Sequence, residues 1–334
     1  MKLILHIGGA KCGSSAIQKV LSENVDHLRS VGVLVPGANL DLDSPTLGQQ
    51  IRWFLTMVDH SDGPGVVTRR LGRLRNRMST EGLHTLIVSA ENLINQARYA
   101  DLFADADDIF DDVQIIAYVR RQDDYVVSSW QQWGLKQYPS LEAYLDRRLT
   151  KDANWSEMLE PWAHRFGAHR VMVRRFVRSK LSGGDVVEDF FTTMNLPGDS
   201  IRRNNRTYNP SFNEHAAELA HRVRDLFKDQ DDQSVFRDLR YAIGPALLKN
   251  YSGSILLTLE QRRQIVAAYE DCNAALRSKY FADLPDDEPL FPPPTEADVV
   301  TVDELERLRA QQDVLTRAIV GLAQRIRGME QSGN

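Results

Sequence analysis

Residues 3–20 read Leu-Ile-Leu-His-Ile-Gly-Gly-Ala-Lys-Cys-Gly-Ser-Ser-Ala-Ile-Gln-Lys-Val, and this stretch decides how the chain is read. Residues 3–7 form an apolar run of strand length that stops at Gly8-Gly9. A loop with one lysine, Lys11, follows, and Gly13-Ser14-Ser15 opens an amphipathic segment with Ile17, Val20 and Leu21 on one face. Strand, glycine-bearing loop and helix N-terminus together make an anion site. The glycines let the backbone come close, the first N–H groups of the helix point outward, and the helix dipole favours negative charge. Gly8 to Gly13 has the spacing of the nucleotide-binding loop G-x-x-x-x-G-K-[ST], but Ser14 stands where that motif has its lysine, and Lys11 lies two residues before Gly13.

Outward from this segment, short apolar runs alternate with helical patterns. Strands are expected at 3–7, 33–35, 84–88, 113–119 and 170–173. Helices are expected at 14–29, 47–58, 66–79, 122–136, 140–149, 154–166, 182–194, 211–228, 234–249 and 258–280. This alternation implies an α/β fold with a mostly parallel sheet flanked by helices, and ligands at the C-terminal strand edge. The expected organisation is one domain over 1–284, with its sheet core in 1–175 and a helical part in 176–284. A proline-rich acidic linker covers 285–295, and an amphipathic or coiled-coil helix fills 296–334. In that tail Leu305, Leu308, Leu315, Ile319, Leu322, Ile326 and Met329 fall on a and d positions of a heptad, with Gln312 at the remaining a. The pattern suits a homo-oligomer, or an amphipathic helix folded back on the domain.

Composition narrows the classes. A net charge of −5 over 334 residues argues against nucleic acid as a partner, so acidic ligands need local patches. Two cysteines, Cys12 and Cys272, fit a reducing compartment, and no Cys/His cluster has metal-ligand spacing. No apolar run has membrane-spanning length and the N-terminus makes a poor signal peptide, so a cytoplasmic protein is expected. The arginine run Arg69, Arg70, Arg73, Arg75 and Arg77 reads as a solvated helix face or as a surface for an anionic acceptor.

Residues 113–133 carry a second anchor. A strand ends at Val119 with Arg120 at its edge, a helix follows, and Ser128 lies eight residues beyond Arg120, two turns along that helix. Arginine suits bidentate phosphate contact, and the alternative is a surface pairing with Asp123 or Asp124. A third strand runs into Ser89, and Glu91 follows at the same edge, where it is a candidate base or a helix-dipole partner. His84 opens that strand at the far end, and His6 reads as packed. Trp130 and Trp133 read as core, with stacking on a sugar or adenine as the alternative. Cys12 lies beside a helix N-terminus, a place where a thiol pKa can fall.

Lys-x-Gly-Ser-Ser after a strand resembles the 5′-phosphosulfate loop of the sulfotransferases, which use 3′-phosphoadenosine 5′-phosphosulfate (PAPS). Strand–Arg120–x7–Ser128–helix resembles the 3′-phosphate motif of the same family. The resemblance covers residues 1–175, weakens beyond them and says nothing about the tail. It implies a P-loop NTPase-like fold, PAPS as donor, 3′,5′-ADP as product, no metal, and a hydroxyl acceptor, with a glycan favoured by the heparan-type glutamate at Glu91. It assigns Lys11, Cys12, Gly13, Ser14, Ser15 and Ala16 to the 5′ end of the nucleotide, and Arg120 and Ser128 to the 3′-phosphate. Lys11 would stabilise the leaving group and Glu91 would take the acceptor proton. Lys249 and Gly253 are the counterpart of a later loop over the 3′-phosphate, with Arg202, Arg203 and Arg206 as competitors. Ala16 stands where many members have an adenine-stacking aromatic, and Cys12 where serine or threonine is commoner. The other readings are a non-catalytic nucleotide-binding scaffold of this fold and a divergent P-loop kinase.

Overall fold

A computed structural model of the chain describes residues 1–45, 51–91, 93–198, 201–202, 213–244 and 253–332. The chain divides into two compact units. One comprises Met1–Arg121, Ala153–Asn209 and Tyr269–Pro292, and the other Gln122–Asp152, Pro210–Ala268 and Pro293–Asn334. This division does not follow the linear boundaries expected from the sequence. The chain leaves the first unit after Arg121 and re-enters at Ala153, because which amphipathic helix packs on which partner is not written in its periodicity.

The first unit holds a sheet of β1 (Lys2–Gly8), β2 (Val33–Leu34), β3 (Thr85–Ser89), β4 (Asp112–Val119) and β5 (Val171–Arg175). Its order is β2-β3-β1-β4-β5 and every pairing is parallel, as the alternating pattern requires. Strand β1 is central and its apolar run is fully buried, the mark of a strand covered on both faces. Its register with β4 shifts between His6 and Gly8, so the strand bends as it enters the glycine loop. An aromatic chain Phe54–Phe103–Trp162–Phe166, with ring centroids 5.4, 5.9 and 6.1 Å apart in turn, fills part of the core of this unit.

Several expected helices are broken by identifiable residues. The segment 14–29 is two helices, Ser14–Glu23 and Val25–Ser30, and Asn24 between them turns its side-chain N–H back to the Val20 carbonyl at 2.8 Å. The segment 122–136 is the helix Gln122–Ser129, a π-helical turn Trp130–Gly134 and a short helix Leu135–Gln137. The segment 258–280 is Leu259–Ala267 and Glu270–Tyr280, which belong to different units. The acidic stretch read as an extended linker is packed into the first unit through residue 292. Glu288 pairs with Arg175 and Lys180 at 2.7 Å each, Arg277 donates to the Pro285 carbonyl at 2.7 Å, and Leu290 and Phe291 are buried.

The second unit is helical. Arg262 is almost fully buried and holds Asp123 at 2.5 Å and Asp124 at 3.1 Å, so the helix Gln122–Ser129 is tied to Leu259–Ala267. The tail helix Glu304–Ser332 packs within this unit on Glu214–Arg222 and Ser234–Ile243, with Val314 against Ala216, Leu219, Leu239 and Ile243. Among the described residues no helix is long and apolar enough to cross a membrane.

A buried carboxylate ties β4 and β5 to the helix Val186–Thr193. Asp189 accepts from Arg174 Nε at 2.9 Å, Tyr118 Oη at 2.9 Å and the Ser182 N–H at 3.0 Å. Burial alone would raise its pKa, but the Arg174, Ser182 and Tyr118 hydrogen bonds outweigh it and hold the carboxyl below the ordinary Asp value. The charged form is therefore the stabilising one, present above about pH 4 and lost as pH falls through the depressed value. Asp189→Asn is expected to cost roughly 2–3 kcal/mol at neutral pH, because Arg174 loses its charge partner. Urea denaturation should show that gap closing as pH drops into the acid range.

Candidate anion and transfer site

The loop after β1 is built from left-handed backbone. Gly8, Gly9, Lys11 and Gly13 have φ of 84°, 118°, 63° and 86°. At Gly9 a β-carbon would collide with the Tyr118 carbonyl oxygen of β4, and at Gly13 it would lie 2.9 Å from both Phe176 Cε2 and Val186 Cγ1. Lys11 adopts the same backbone region without being glycine. Its carbonyl accepts from the Arg120 guanidinium at 3.1 Å, a bond that clamps the loop to the end of β4. The Arg120 carbonyl in turn accepts from Trp155 Nε1 at 2.8 Å, and its guanidinium lies 5.7 Å from the centre of the Phe176 ring.

The helix Ser14–Glu23 starts with Gly13 as N-cap and no side-chain cap. The Ser14 hydroxyl donates to the Gly9 carbonyl at 3.2 Å and is buried, so it braces the loop from inside. The Cys12 N–H closes the turn onto the Gly9 carbonyl at 3.1 Å, and the Ala16 N–H closes the first helical turn onto Gly13 at 3.0 Å. The amides of residues 12 and 16 are thus used within the loop, which leaves Gly13, Ser14 and Ser15 as the amides that head the helix. Cys12 does not carry the lowered thiol pKa its position suggested. Its Sγ is buried 3.4 Å from the Ala10 carbonyl, and burial pushes the thiol up to about 12.

Glu91 sits in the turn after β3, beyond Ser89, on the edge shared with Lys11 and Arg120. Burial raises its pKa above the usual Glu value, and Lys11 opposes the rise. Burial lowers the Lys11 pKa, Arg120 lowers it further, and Glu91 acts against both. Lys11 is thus within electrostatic reach of both Glu91 and Arg120, and the three residues follow three adjacent parallel strands. Perturbed titrating groups that converge at a strand edge are the usual signature of a reacting site.

The remaining sequence-read residues lie as follows. His6 is fully buried with Nδ1 2.7 Å from Ser89 Oγ, and burial lowers its pKa to about 3, so it is a packed group. His84 is at the opposite end of β3, with Nδ1 2.9 Å from Thr85 Oγ1. Ser128 is half-buried on the helix Gln122–Ser129 of the second unit. Trp130 is core, packed 5.7 Å from Tyr144 and 5.3 Å from His221. Gly253, with φ 79°, packs on the backbone of residues 297–300 in the second unit, and Lys249 lies outside the described residues. The Arg202 backbone is held by Asn24, just past the last residue of the helix Ser14–Glu23, and Arg203 and Arg206 lie outside the described residues. Most of the arginine run is paired: Arg69 with Asp62, Arg70 with Asp41 and Arg77 with Glu81. Sequence reading overlooked Phe176, although it directly follows β5 at the ligand edge of the sheet.

No family model and no curated protein matches the chain. Two of the solved structures similar to it are sulfotransferases. A sulfotransferase from Alicyclobacillus acidocaldarius is 15% identical, with 70% of this chain and 95% of that one covered at a TM-score of 0.40. The sulfotransferase domain from the curacin biosynthetic pathway is 12% identical, with 80% and 96% covered at a TM-score of 0.35.

The loop geometry separates two kinds of glycine. Gly13→Ala is expected to destabilise the protein by about 1–2 kcal/mol, through left-handed strain and the crowding by Phe176 and Val186. Gly72→Ala, inside the helix Gly63–Glu81 with open space at its β-position, should stabilise it by about 0.5–1 kcal/mol. Denaturant midpoints measure both. Native-state alkylation at mildly alkaline pH, followed by mass spectrometry, should leave Cys12 unmodified.

Proposed function

We propose that this chain transfers a sulfuryl group from PAPS to a hydroxyl acceptor, with a carbohydrate as the acceptor class. What supports the reading is one observation: a loop lysine behind β1 feels the charge of a glutamate behind β3 and of an arginine behind β4. A lysine ahead of Gly13 suits a bridging oxygen between phosphate and sulfate, and an arginine clamped to the same loop suits a second phosphate of the same nucleotide. A half-buried glutamate at the same edge suits the proton of an attacking alcohol.

In this reading the acceptor oxygen attacks sulfur in line. The bond from sulfur to the 5′-phosphate oxygen breaks, and its electron pair leaves with 3′,5′-ADP. Glu91 receives the acceptor proton. Lys11 and the amides of Gly13, Ser14 and Ser15 stabilise charge that builds on the bridging oxygen, and they need no rearrangement to do so. Positioning supplies most of the rest, by analogy with phosphoryl transfer.

The charge states give a pH dependence. A raised Glu91 pKa means that this base becomes protonated, and inactive, at a higher pH than an ordinary glutamate. The acid limb of kcat/KM is therefore expected above the usual carboxylate range. Glu91→Gln should lower kcat by roughly 10²–10⁴-fold with 3′,5′-ADP affinity retained. Lys11→Ala should lower kcat by about 10²–10³-fold. Arg120→Ala should weaken 3′,5′-ADP by roughly tenfold or more in calorimetry, and Ser128→Ala tests the other residue of that motif. ATP bound more tightly than 3′,5′-ADP would overturn the reading in favour of a kinase. PAPS bound but never turned over across a panel of glycans and simple alcohols would leave a scaffold.

A further inference from the structure

The tail helix Glu304–Ser332 has two stripes, and its own unit uses one of them. Gln311, Val314 and Ala318 are buried on it, and Gly321 lies so close to the Ala242 carbonyl that a β-carbon would collide. Arg325 extends the same stripe, with its guanidinium 3.6 Å from the centre of the Tyr241 ring. These residues hold the helix to Glu214–Arg222 and Ser234–Ile243. The a and d residues form the other stripe. Leu305, Leu308, Leu315, Ile319, Leu322, Ile326 and Met329 remain 45–67% exposed. Docking, one of the two alternatives on sequence grounds, therefore leaves the heptad face of the helix exposed.

We propose that the exposed stripe pairs with the same stripe of a second copy of this chain, as a parallel, in-register two-stranded coiled coil. The residue types select this occupant. Leucine fills three of the four d positions, Leu308, Leu315 and Leu322, and β-branched Ile319 and Ile326 fill two of the a positions, the combination that favours two parallel strands. Gln312, exposed at an a position, meets its own counterpart only when the strands are parallel and in register, where the two amides bond to each other. Antiparallel pairing would set it against a d-position leucine. Charge agrees with the parallel arrangement. Glu304 at g and Arg309 at the next e are opposite in sign and face one another across a parallel dimer, twice by symmetry. Both are exposed, so this pairing disturbs nothing in the docked stripe.

Deleting the tail would strip cover from Ala216 and its neighbours, so point variants of the full chain are the better probe. Light scattering at tens of micromolar should give twice the 37.9 kDa chain mass. Ile319→Lys combined with Leu322→Lys should halve that mass with an unchanged thermal melt. Gln312→Cys should form a disulfide-linked dimer on mild oxidation, because the a–a distance is short only in the parallel register. A single-chain mass for the unaltered protein, or a dimer that survives the double lysine variant, overturns the proposal. A dimer whose Gln312→Cys variant does not cross-link overturns the parallel arrangement. If the double variant loses its melting transition, the cross-linking result decides alone.

Discussion

The hydrogen bond from Arg120 to the Lys11 carbonyl joins the two halves of the candidate site, and much of the first unit is arranged around it. A non-glycine residue in the left-handed region costs on the order of 1 kcal/mol, so Lys11 needs a reason to stay there. The reason is local over-determination. Gly9 lies against the Tyr118 carbonyl, Gly13 is wedged by Phe176 and Val186, and the Ser14 hydroxyl braces Gly9 from within. With each flank fixed, the Lys11 carbonyl is held as well, because Arg120 donates to it at 3.1 Å. Strain at the loop and the arginine at the strand end are thus one feature. The Asp189 network supports it from behind, because Tyr118 and Arg174 are anchored on a helix whose first residue, Val186, crowds Gly13.

The sheet was legible from sequence because its signal is local. Five apolar runs ended close to where the strands end, and parallel pairing follows from the helices between them. The placement of Lys11, Glu91 and Arg120 at one edge of the sheet was legible for the same reason: each lies one to four residues beyond such a run. Side-chain direction was not legible. Cys12 and Ser14 belong to the motif by position, yet both turn inward, because alternating left-handed residues reverse the outward face of the loop. Phe176 was passed over because a lone aromatic between Arg175 and Val177 belongs to no periodic pattern that would point it at the loop.

The assignment of segments to units was hidden for another reason. The acidic, proline-rich stretch has the composition of a solvated linker, but composition counts charges without their partners. Arg175, Lys180 and Arg277 neutralise and cap it, and Leu290 and Phe291 then have a place to be buried. The tail shows the same limit. Its heptad is a true pattern, but the stripe that touches its own unit contains Gln311, Ala318, Gly321 and Arg325, residues no hydropathy reading would choose. Small and polar residues permit close approach of helices as well as apolar ones drive it.

The charges at the strand edge are also coupled to any anion the loop holds. The half-buried carboxylate of Glu91 is helped by Lys11, and the Lys11 ammonium is opposed by Arg120. An anion seated on the loop would relieve the repulsion between the two cations, which favours the protonated lysine that charge stabilisation requires. The same anion adds a negative charge near Glu91, which by itself raises the pKa of that carboxyl further. One anion on the loop would thus act on both groups in the same direction, raising the proton affinity of the lysine and of the glutamate together.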